Sequence, residues 1–289
     1  MSENQLLLAE TARLYYKEDL NQSEVGKKLN ISRSKVSRLL KKAKELGIIE
    51  ININYPIKRS VKLEQKIKNK FNLDKVIILE NNNSEYEEIL SGLGNLTANY
   101  IDNIIDDISI LGLSWGKTIY NVVNSFSPDK KAPIKVVQLI GSAASKNPIF
   151  DAPDLIRKLA TAYGGNYYYL HAPLYIENNN AHKALMNQPA IMRTVSLAKK
   201  SDVILTGIGS LSNNIKNHLW NKYLDKKDLK KIKNLGAVGH ICAHFYDING
   251  NIIPTTKHNK ILGINLKDLS NIDNVIGIAG GEFKFKAIL

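Results

Sequence analysis

Six short apolar runs recur along the chain with helix-like segments between them: VIIL from Val76, ISILGL from Ile108, IKVVQLI from Ile134, NYYYL from Asn166, DVILTGI from Asp202 and NVIGIAG from Asn274. A strand covered on one face alternates apolar with polar, whereas one covered on both faces is apolar throughout. Continuous runs spaced by helices therefore predict an α/β domain with a mainly parallel sheet wrapped by helices, over residues 73–289. At 289 residues the chain is longer than one such domain needs, and its first 72 residues have a different texture.

That first part reads as helices. One is predicted from about Asn4 to Lys17, with Leu7, Leu14 and Tyr15 on its apolar stripe. Asn21, followed three residues later by Glu24, makes a capping box opening a second helix through Leu29. Ser32 caps a third that runs to Leu46, and Gly47 stops it. In IIEININY, Ile49, Ile51 and Ile53 alternate with Glu50, Asn52 and Asn54, the period of a half-buried strand. Three short helices and a strand over residues 1–54 outline a winged helix-turn-helix. Pro56 and the basic stretch after it mark a linker helix within residues 55–72, expected to turn Val61, Ile67 and Phe71 inward.

The third helix separates its two faces. Val36, Leu40, Ala43 and Leu46 are placed to pack on its neighbours, and Arg33, Ser34, Ser37, Arg38 and Lys41 to face outward. Arginine near the start of such a helix suits the O6 and N7 acceptors of guanine in the major groove. Lysines such as Lys27, Lys28, Lys42 and Lys44 suit phosphates, which position a protein without reading sequence. The candidate DNA-contacting set is Gln22, Ser32, Arg33, Ser34, Lys35, Ser37, Arg38, Lys41 and Lys42. A solvated lysine-rich helix is the plain alternative, but here charge, caps, turn and wing agree within one unit. The run Lys226, Lys227, Lys230, Lys231 and Lys233, interrupted by Asp228, is by contrast read as a solvated face, although it adds to the net charge of +13.

Other classes are set aside quickly. No apolar run approaches the roughly 18 to 20 residues of a spanning helix. The N-terminus carries Glu3 and Glu10 where a secretory signal has a basic region, so cytoplasmic residence is expected. The one cysteine, Cys242, agrees with a reducing compartment. His240, Cys242 and His244 would share one face of a strand, yet one strand rarely supplies three zinc ligands and a fourth is not evident, so no metal is expected.

Ligands of open α/β sheets sit outside the carboxyl ends of the strands. Four glycine-rich stretches have that setting. GLSWGKT offers Gly112, Ser114, Gly116, Lys117 and Thr118 at a probable helix start, where backbone N–H groups attract anions. It is no Walker A loop, because three residues separate Gly112 from Gly116 where four are required. GSAAS contributes Gly141 and Ser142, GIGS contributes Gly207, Gly209 and Ser210, and AGGEFK places Lys284 just past a strand end. Any one such loop is usually an ordinary turn; four at one sheet edge suggest a ligand site.

The string AETARLYYKEDLNQSEVGKKLNISRSKVSRLLKKAKELGIIEI resembles the N-terminus of the SorC family of sugar-responsive bacterial transcriptional regulators, and within it the deoxyribonucleoside regulator branch. GLSWGKT, VVQLIGS, DVILTGIGSL, LGAVGHICAHFYDINGNI and VIGIAGGEFK continue the likeness over nearly the whole chain. The resemblance implies a C-terminal domain folded like sugar-phosphate isomerases that binds a phosphorylated sugar, with Ser114, Gly116, Gly141, Ser142, Gly207, Gly209 and Lys284 at the ligand. It also implies a homo-oligomer, dimer or tetramer, acting on operator DNA, most simply as a repressor, without a cofactor.

Two departures stand out. His240 replaces the family's usual acidic residue in GAVGD, so a group with one donor and one acceptor stands where a carboxylate would accept sugar hydroxyls. Ile140 before Gly141 leaves no lysine there for a Schiff base. Relatives continue beyond a segment like EFKFKAIL, so the sheet edge near Lys284 is expected to be open. The alternative is a sugar-phosphate isomerase or deaminase-like enzyme with an added DNA-binding domain, for which Asp154, Asp202 and His240 are the candidate bases; none has a context that singles it out. A purely architectural DNA binder would leave the large α/β domain without a use.

Overall fold

A computed structural model describes residues 3–49, 58–80, 85–143, 152–211, 224–255 and 260–289. The chain divides into two compact units, Met1–Pro56 and Ile57–Leu289.

The first unit holds α1 (Glu3–Tyr16), α2 (Gln22–Leu29) and α3 (Arg33–Glu45). The capping box forms as expected: Asn21 Oδ1 accepts from Glu24 N at 3.1 Å, while Glu24 Oε2 accepts from Asn21 N at 2.8 Å. Leu8, Leu14, Val25, Val36, Leu39, Leu40 and Ala43 bury one face of each helix in a shared core. Two expectations shift. Leu8 takes the deep position on α1, with Leu7 only half-buried. Leu46 is exposed, because it caps α3 and the chain turns away at Gly47, whose φ is +68°. The strand of the wing lies outside the described residues beyond Ile49.

Gly26 sets the tight turn between α2 and α3. Its carbonyl accepts from Ile31 N at 2.9 Å, and a Cβ there would stand 2.7 Å from the Ile31 carbonyl oxygen. Backbone cannot yield as a side chain does, so Gly26→Ala should destabilise this unit by about 1 to 2 kcal/mol despite alanine's better helix propensity. Thermal unfolding checks this: an unchanged or raised midpoint would contradict the close approach.

The second unit opens with α4 (Val61–Phe71). Here the inward face expected of the linker is not found: Val61 and Phe71 are exposed, Ile67 is half-buried, and the buried residue is Glu64. The Arg59 guanidinium grips Glu64 in two bonds of 2.9 and 2.8 Å and holds its carboxyl below the usual range. VIIL at Val76 is likewise no strand of the sheet. It meets the chain only through a bridge between Leu79 and Arg59.

The remaining runs build a five-stranded parallel sheet from β1 (Ile110–Leu113), β2 (Lys135–Gln138), β3 (Asn166–Tyr168), β4 (Val203–Gly207) and, with its label given in chain order, β8 (Asn274–Ile278). Their order is β3-β2-β1-β4-β8. Leu111, Leu113, Val136, Val203 and Leu205 bury one face beneath α5 (Tyr86–Ile104), α6 (Lys117–Asn124) and α7 (Ala152–Tyr163), and Val137 and Ile204 bury the other. This two-sided burial is why the runs lack alternation. At the opposite end from the strands' carboxyl termini, Asp202 clamps β1 by accepting from Ser109 N and Ile110 N, both at 2.8 Å. Helices α8 (Asn179–Met186) and α9 (Pro189–Ala198) lead into β4.

A second, antiparallel sheet was not foreseen. It joins β5 (Gly209–Ser210), β6 (Ala237–Ile241) and β7 (His244–Asp247), with α10 (Lys226–Asn234) before β6. Cys242 and Ala243 form the two-residue turn between β6 and β7, both with positive φ, +46° and +66°. The turn breaks the single strand on which His240, Cys242 and His244 were expected to share a face. After α11 (Leu266–Ser270) and β8, a 3-10 turn (Glu282–Lys284) and α12 (Phe285–Ile288) complete the described chain. Strand β8 is an edge of the described sheet with Val275 exposed. No helix among the described residues is long and apolar enough to cross a membrane.

Candidate functional site

On the first unit, α3 presents its outer face to solvent as the sequence predicts. Arg33, Ser34, Lys35, Ser37, Arg38, Lys41, Lys42 and Lys44 are all exposed, against the buried Val36, Leu39, Leu40 and Ala43. The first turn carries no acidic residue, so the positive end of the helix dipole and the arginines act together. Arg38 Nε makes only a 3.5 Å contact with the Ser34 carbonyl, and Lys41 lies 4.0 Å from Glu45. Neither Arg33 nor Arg38 forms an ion pair among the described residues, which leaves both guanidiniums available to acceptors outside the chain. Ser32 is already occupied: its hydroxyl caps α3 by accepting from Lys35 N at 3.2 Å. Gln22 is half-buried at the start of α2, and Lys28 is paired with Glu18 at 2.8 Å. A rod about 10 to 12 Å across with such a face fits a major groove about 12 Å wide.

On the second unit, β1 continues into β2 and β3 on one side, while β4 and β8 lie on the other. The strand order therefore reverses between β1 and β4, and the crevice outside their carboxyl ends is where open sheets receive ligands. Ser114 sits there buried, its N–H donating to the Leu205 carbonyl at 3.0 Å and its Oγ accepting from Gly207 N at 3.4 Å. Thr118, also buried, faces Gly207, where an added Cβ would stand 3.7 Å from the Thr118 Cβ. Gly116 has φ +115° with open space beside it, so the first amides of α6 face outward from a loop that no side chain crowds.

Beyond Gly207 the chain passes beneath His240. Gly209 pairs with His240 across β5 and β6, and a Cβ on Gly209 would fall 2.0 Å from His240 Nε2, so only glycine leaves room for the ring. Ser210 Oγ donates to the Phe283 carbonyl at 2.7 Å, which ties the turn carrying Lys284 to β5. Lys284 is only 7% exposed. Burial disfavours its ammonium and pulls its pKa down to about 8; burial and the neighbouring Lys284 pull His240 down to about 3, so the imidazole is neutral at physiological pH although an edge of the residue stays accessible.

Ser114, Gly116, Thr118, Gly207, Gly209, Ser210, His240 and Lys284 thus gather around the ends of β1 and β4. Three other expected residues do something else. Gly112 lies inside β1, where a Cβ would stand 2.7 Å from Leu139 Cδ2 and 2.8 Å from Ile204 Cγ1; its role is packing, not ligand contact. The Gly141 amide is committed to the Leu262 carbonyl at 2.9 Å, and a Cβ there would fall 2.2 Å from the Pro173 carbonyl oxygen, so this glycine serves a backbone crossing. Lys117 is exposed and turned to Glu87 and the Tyr86 ring. Ser142 is half-buried, with its N–H given to the Ala172 carbonyl. Sequence reasoning passed over Trp115, whose Nε1 donates to the Gly141 carbonyl at 3.0 Å and joins the ends of β1 and β2. An aromatic residue between Ser114 and Gly116 was the available signal.

The carboxylates considered as catalytic bases do not join this cluster. Asp154 lies exposed in the first turn of α7 beside Arg157, and Asp202 clamps the far end of the sheet. Cys242 is buried against Thr206, and burial pushes its thiol up to about 11. His244 Nε2 lies 3.3 Å from the Ile264 carbonyl. No group of three His, Cys, Asp or Glu able to hold a metal occurs among the described residues.

An anion that pairs with Lys284 will raise its pKa, so binding takes up a proton wherever the free amine is neutral. Anion affinity should hold constant below about pH 8 and fall by up to tenfold per unit above it. Stability of the free protein should move oppositely: an amine depressed in the folded state costs least where it is uncharged, so its contribution improves from about pH 8 toward the unfolded value near 10.5. Titration calorimetry with inorganic phosphate between pH 7 and 9.5 measures the first effect; an affinity independent of pH would contradict it.

Comparison with known proteins agrees with both units. Residues 55–289 match the family model described as "Putative sugar-binding domain", and residues 13–45 match "Sigma-70, region 4". The deoxyribonucleoside regulator of Bacillus subtilis is 29% identical over 99% of this chain and 91% of its own length. The sorbitol operon regulator of Klebsiella pneumoniae is 30% identical over 98% of this chain and 90% of its own. The crystal structure of that full-length Klebsiella regulator, SorC, superposes with a TM-score of 0.76 at 29% identity, covering 100% of this chain and 93% of that one. A DeoR family regulator from Listeria monocytogenes gives a TM-score of 0.72 at 26% identity, over 79% of this chain and 90% of that one. Helix-turn-helix, sugar-binding domain and relatives matched almost end to end together make this chain a member of the SorC family of sugar-responsive, DNA-binding transcriptional regulators.

Proposed function

We propose that this regulator is a cytoplasmic repressor that binds operator DNA through residues 1–54 and responds to a phosphorylated sugar held by residues 73–289, with residues 55–72 as linker. The observation that carries the sugar-phosphate reading is Lys284, a buried amine at the ligand end of the sheet beside amides and hydroxyls suited to oxyanions. Ser114, Gly116, Thr118, Gly207, Gly209, Ser210 and His240 line the same region, with Ser142 near it. The resemblance of the domain to sugar-phosphate isomerases is one of fold, and the absence of a carboxylate base in the cluster supports a sensor in preference to an enzyme.

Sugar and DNA are then linked thermodynamically. If the sugar prefers one arrangement of the oligomer, DNA affinity changes by the same coupling factor, typically about 5- to 150-fold. A dimer or tetramer on repeated half-sites supplies the base contacts that one short α3 lacks. The exposed apolar side chains of Val61, Leu63 and Phe71 on α4 support self-association. The test is a gel shift on the DNA upstream of the regulator's own gene, repeated with pentose and hexose phosphates and with the corresponding free sugars. Retardation relieved only by a phosphorylated sugar is expected; relief by the free sugar at equal concentration would overturn the phosphate requirement.

A further inference from the structure

Lys284 has no carboxylate partner among the described residues, and its environment is desolvating without being neutralising. Several groups surround it. His240 on β6 faces it, lying over Gly209 with its ring 5.8 Å from that of Phe245. Tyr246 on β7 is engaged with the Ala287 carbonyl at 2.6 Å and is kept protonated by burial. Tyr86 on α5 stacks edge-on against Phe283 at 5.2 Å, and Ser210 on β5 holds the Phe283 carbonyl. Glu282 and Lys286, on the same segment, are exposed. A carboxylate at position 240 would pair with the ammonium and leave the pocket neutral and suited to hydroxyls. An imidazole there leaves the positive charge to be met by whatever binds.

A second anion-attracting region lies close by. Gly207, whose amide meets Ser114 at the α6 end, is two residues from Gly209 beneath His240, a separation of about 7 Å along an extended strand. One small molecule can reach both.

We propose that His240 is a specificity-determining residue which, with Lys284, forms an oxyanion subsite, and that the effector carries a second anionic group, a carboxylate or second phosphate, besides the phosphate at the β1–α6 loop. This rests on the reading of the domain as a sugar-phosphate sensor. The chemical class is a phosphorylated sugar acid or a sugar bisphosphate, not a monophosphorylated polyol.

The experiment is titration calorimetry on the full chain with matched probes: glucose 6-phosphate against 6-phosphogluconate, fructose 6-phosphate against fructose 1,6-bisphosphate, and inorganic phosphate against pyrophosphate. In every pair that binds, the doubly anionic member should bind at least tenfold more tightly. His240→Asp should abolish that advantage by pairing with Lys284, while His240→Asn, which keeps a neutral donor, should retain most of it. Operator affinity without ligand reports that both variants are folded. Equal or tighter binding of the singly phosphorylated members, or an advantage that survives His240→Asp, overturns the inference while leaving the sugar-phosphate reading intact. Binding of none of the probes, at concentrations up to tens of millimolar, overturns both.

Discussion

Arg38→Ala should lower specific operator affinity by roughly 5- to 150-fold per half-site, the loss of one bidentate arginine contact to guanine worth about 1 to 3 kcal/mol. The unfolding midpoint should not move, because Arg38 is exposed and its one internal contact, to the Ser34 carbonyl, is at the limit of a hydrogen bond. Lys42→Ala should behave differently. An exposed lysine near the end of α3 is suited to phosphate, so affinity should fall alike on operator and scrambled duplex and the salt slope should lessen by about one. Fluorescence anisotropy on both duplexes at matched salt separates the two outcomes. If Arg38→Ala weakened both duplexes equally, the arginine would be a backbone anchor and sequence would be read elsewhere.

Lys284→Met should produce two effects of opposite sign. Effector binding should weaken by roughly 30-fold to several thousand-fold, the usual range when one partner of a buried charge-assisted contact is removed, about 2 to 5 kcal/mol. The unliganded protein should become more stable, since methionine fills similar volume without burying an ammonium that lacks a carboxylate partner among the described residues. Operator binding without effector should be unchanged, so the variant represses but no longer responds. Thermal unfolding with and without phosphorylated ligand reads both signs. A lowered midpoint in the free protein would mean that Lys284 is structural, held by a partner that the account does not include.

How much of this was legible in the sequence follows from how local each signal is. The caps of α2 and α3 and the apolar stripe of α3 were readable because a helix is specified by residues within a turn of one another: Asn21 with Glu24, and Ser32 with Lys35. The strands were readable as apolar runs, but not which runs would find the sheet. VIIL at Val76 has the composition of β4 and ends in a single bridge to Arg59, because pairing depends on partners far along the chain. Glycine was the most ambiguous letter. Gly112 and Gly141 make room for protein atoms and Gly116 for open space, and nothing in the neighbouring residues distinguishes the two uses.

The hairpin turn at Cys242 and Ala243 carries none of the residues that usually signal positive φ, so the three flanking candidates looked like one strand. On α4 the amphipathic pattern was real, yet the buried position went to Glu64, through an ion pair with Arg59 that no periodicity encodes. His240 could be read as a departure from the family motif, whereas its consequence, an unneutralised Lys284 beside it, required β6 and the turn after β8 to be brought together in space.

The account's central claim is that the cationic face of α3 lies in the major groove and reads guanines. Dimethyl sulfate footprinting addresses it directly, because the reagent attacks guanine N7 in that groove and adenine N3 in the minor groove. Bound regulator should protect guanine N7 within each half-site, and the double variant Arg33→Ala, Arg38→Ala, at a concentration that restores occupancy, should lose that protection. Guanines that stay reactive under saturating wild-type protein, or protection that persists without both arginines, would contradict it.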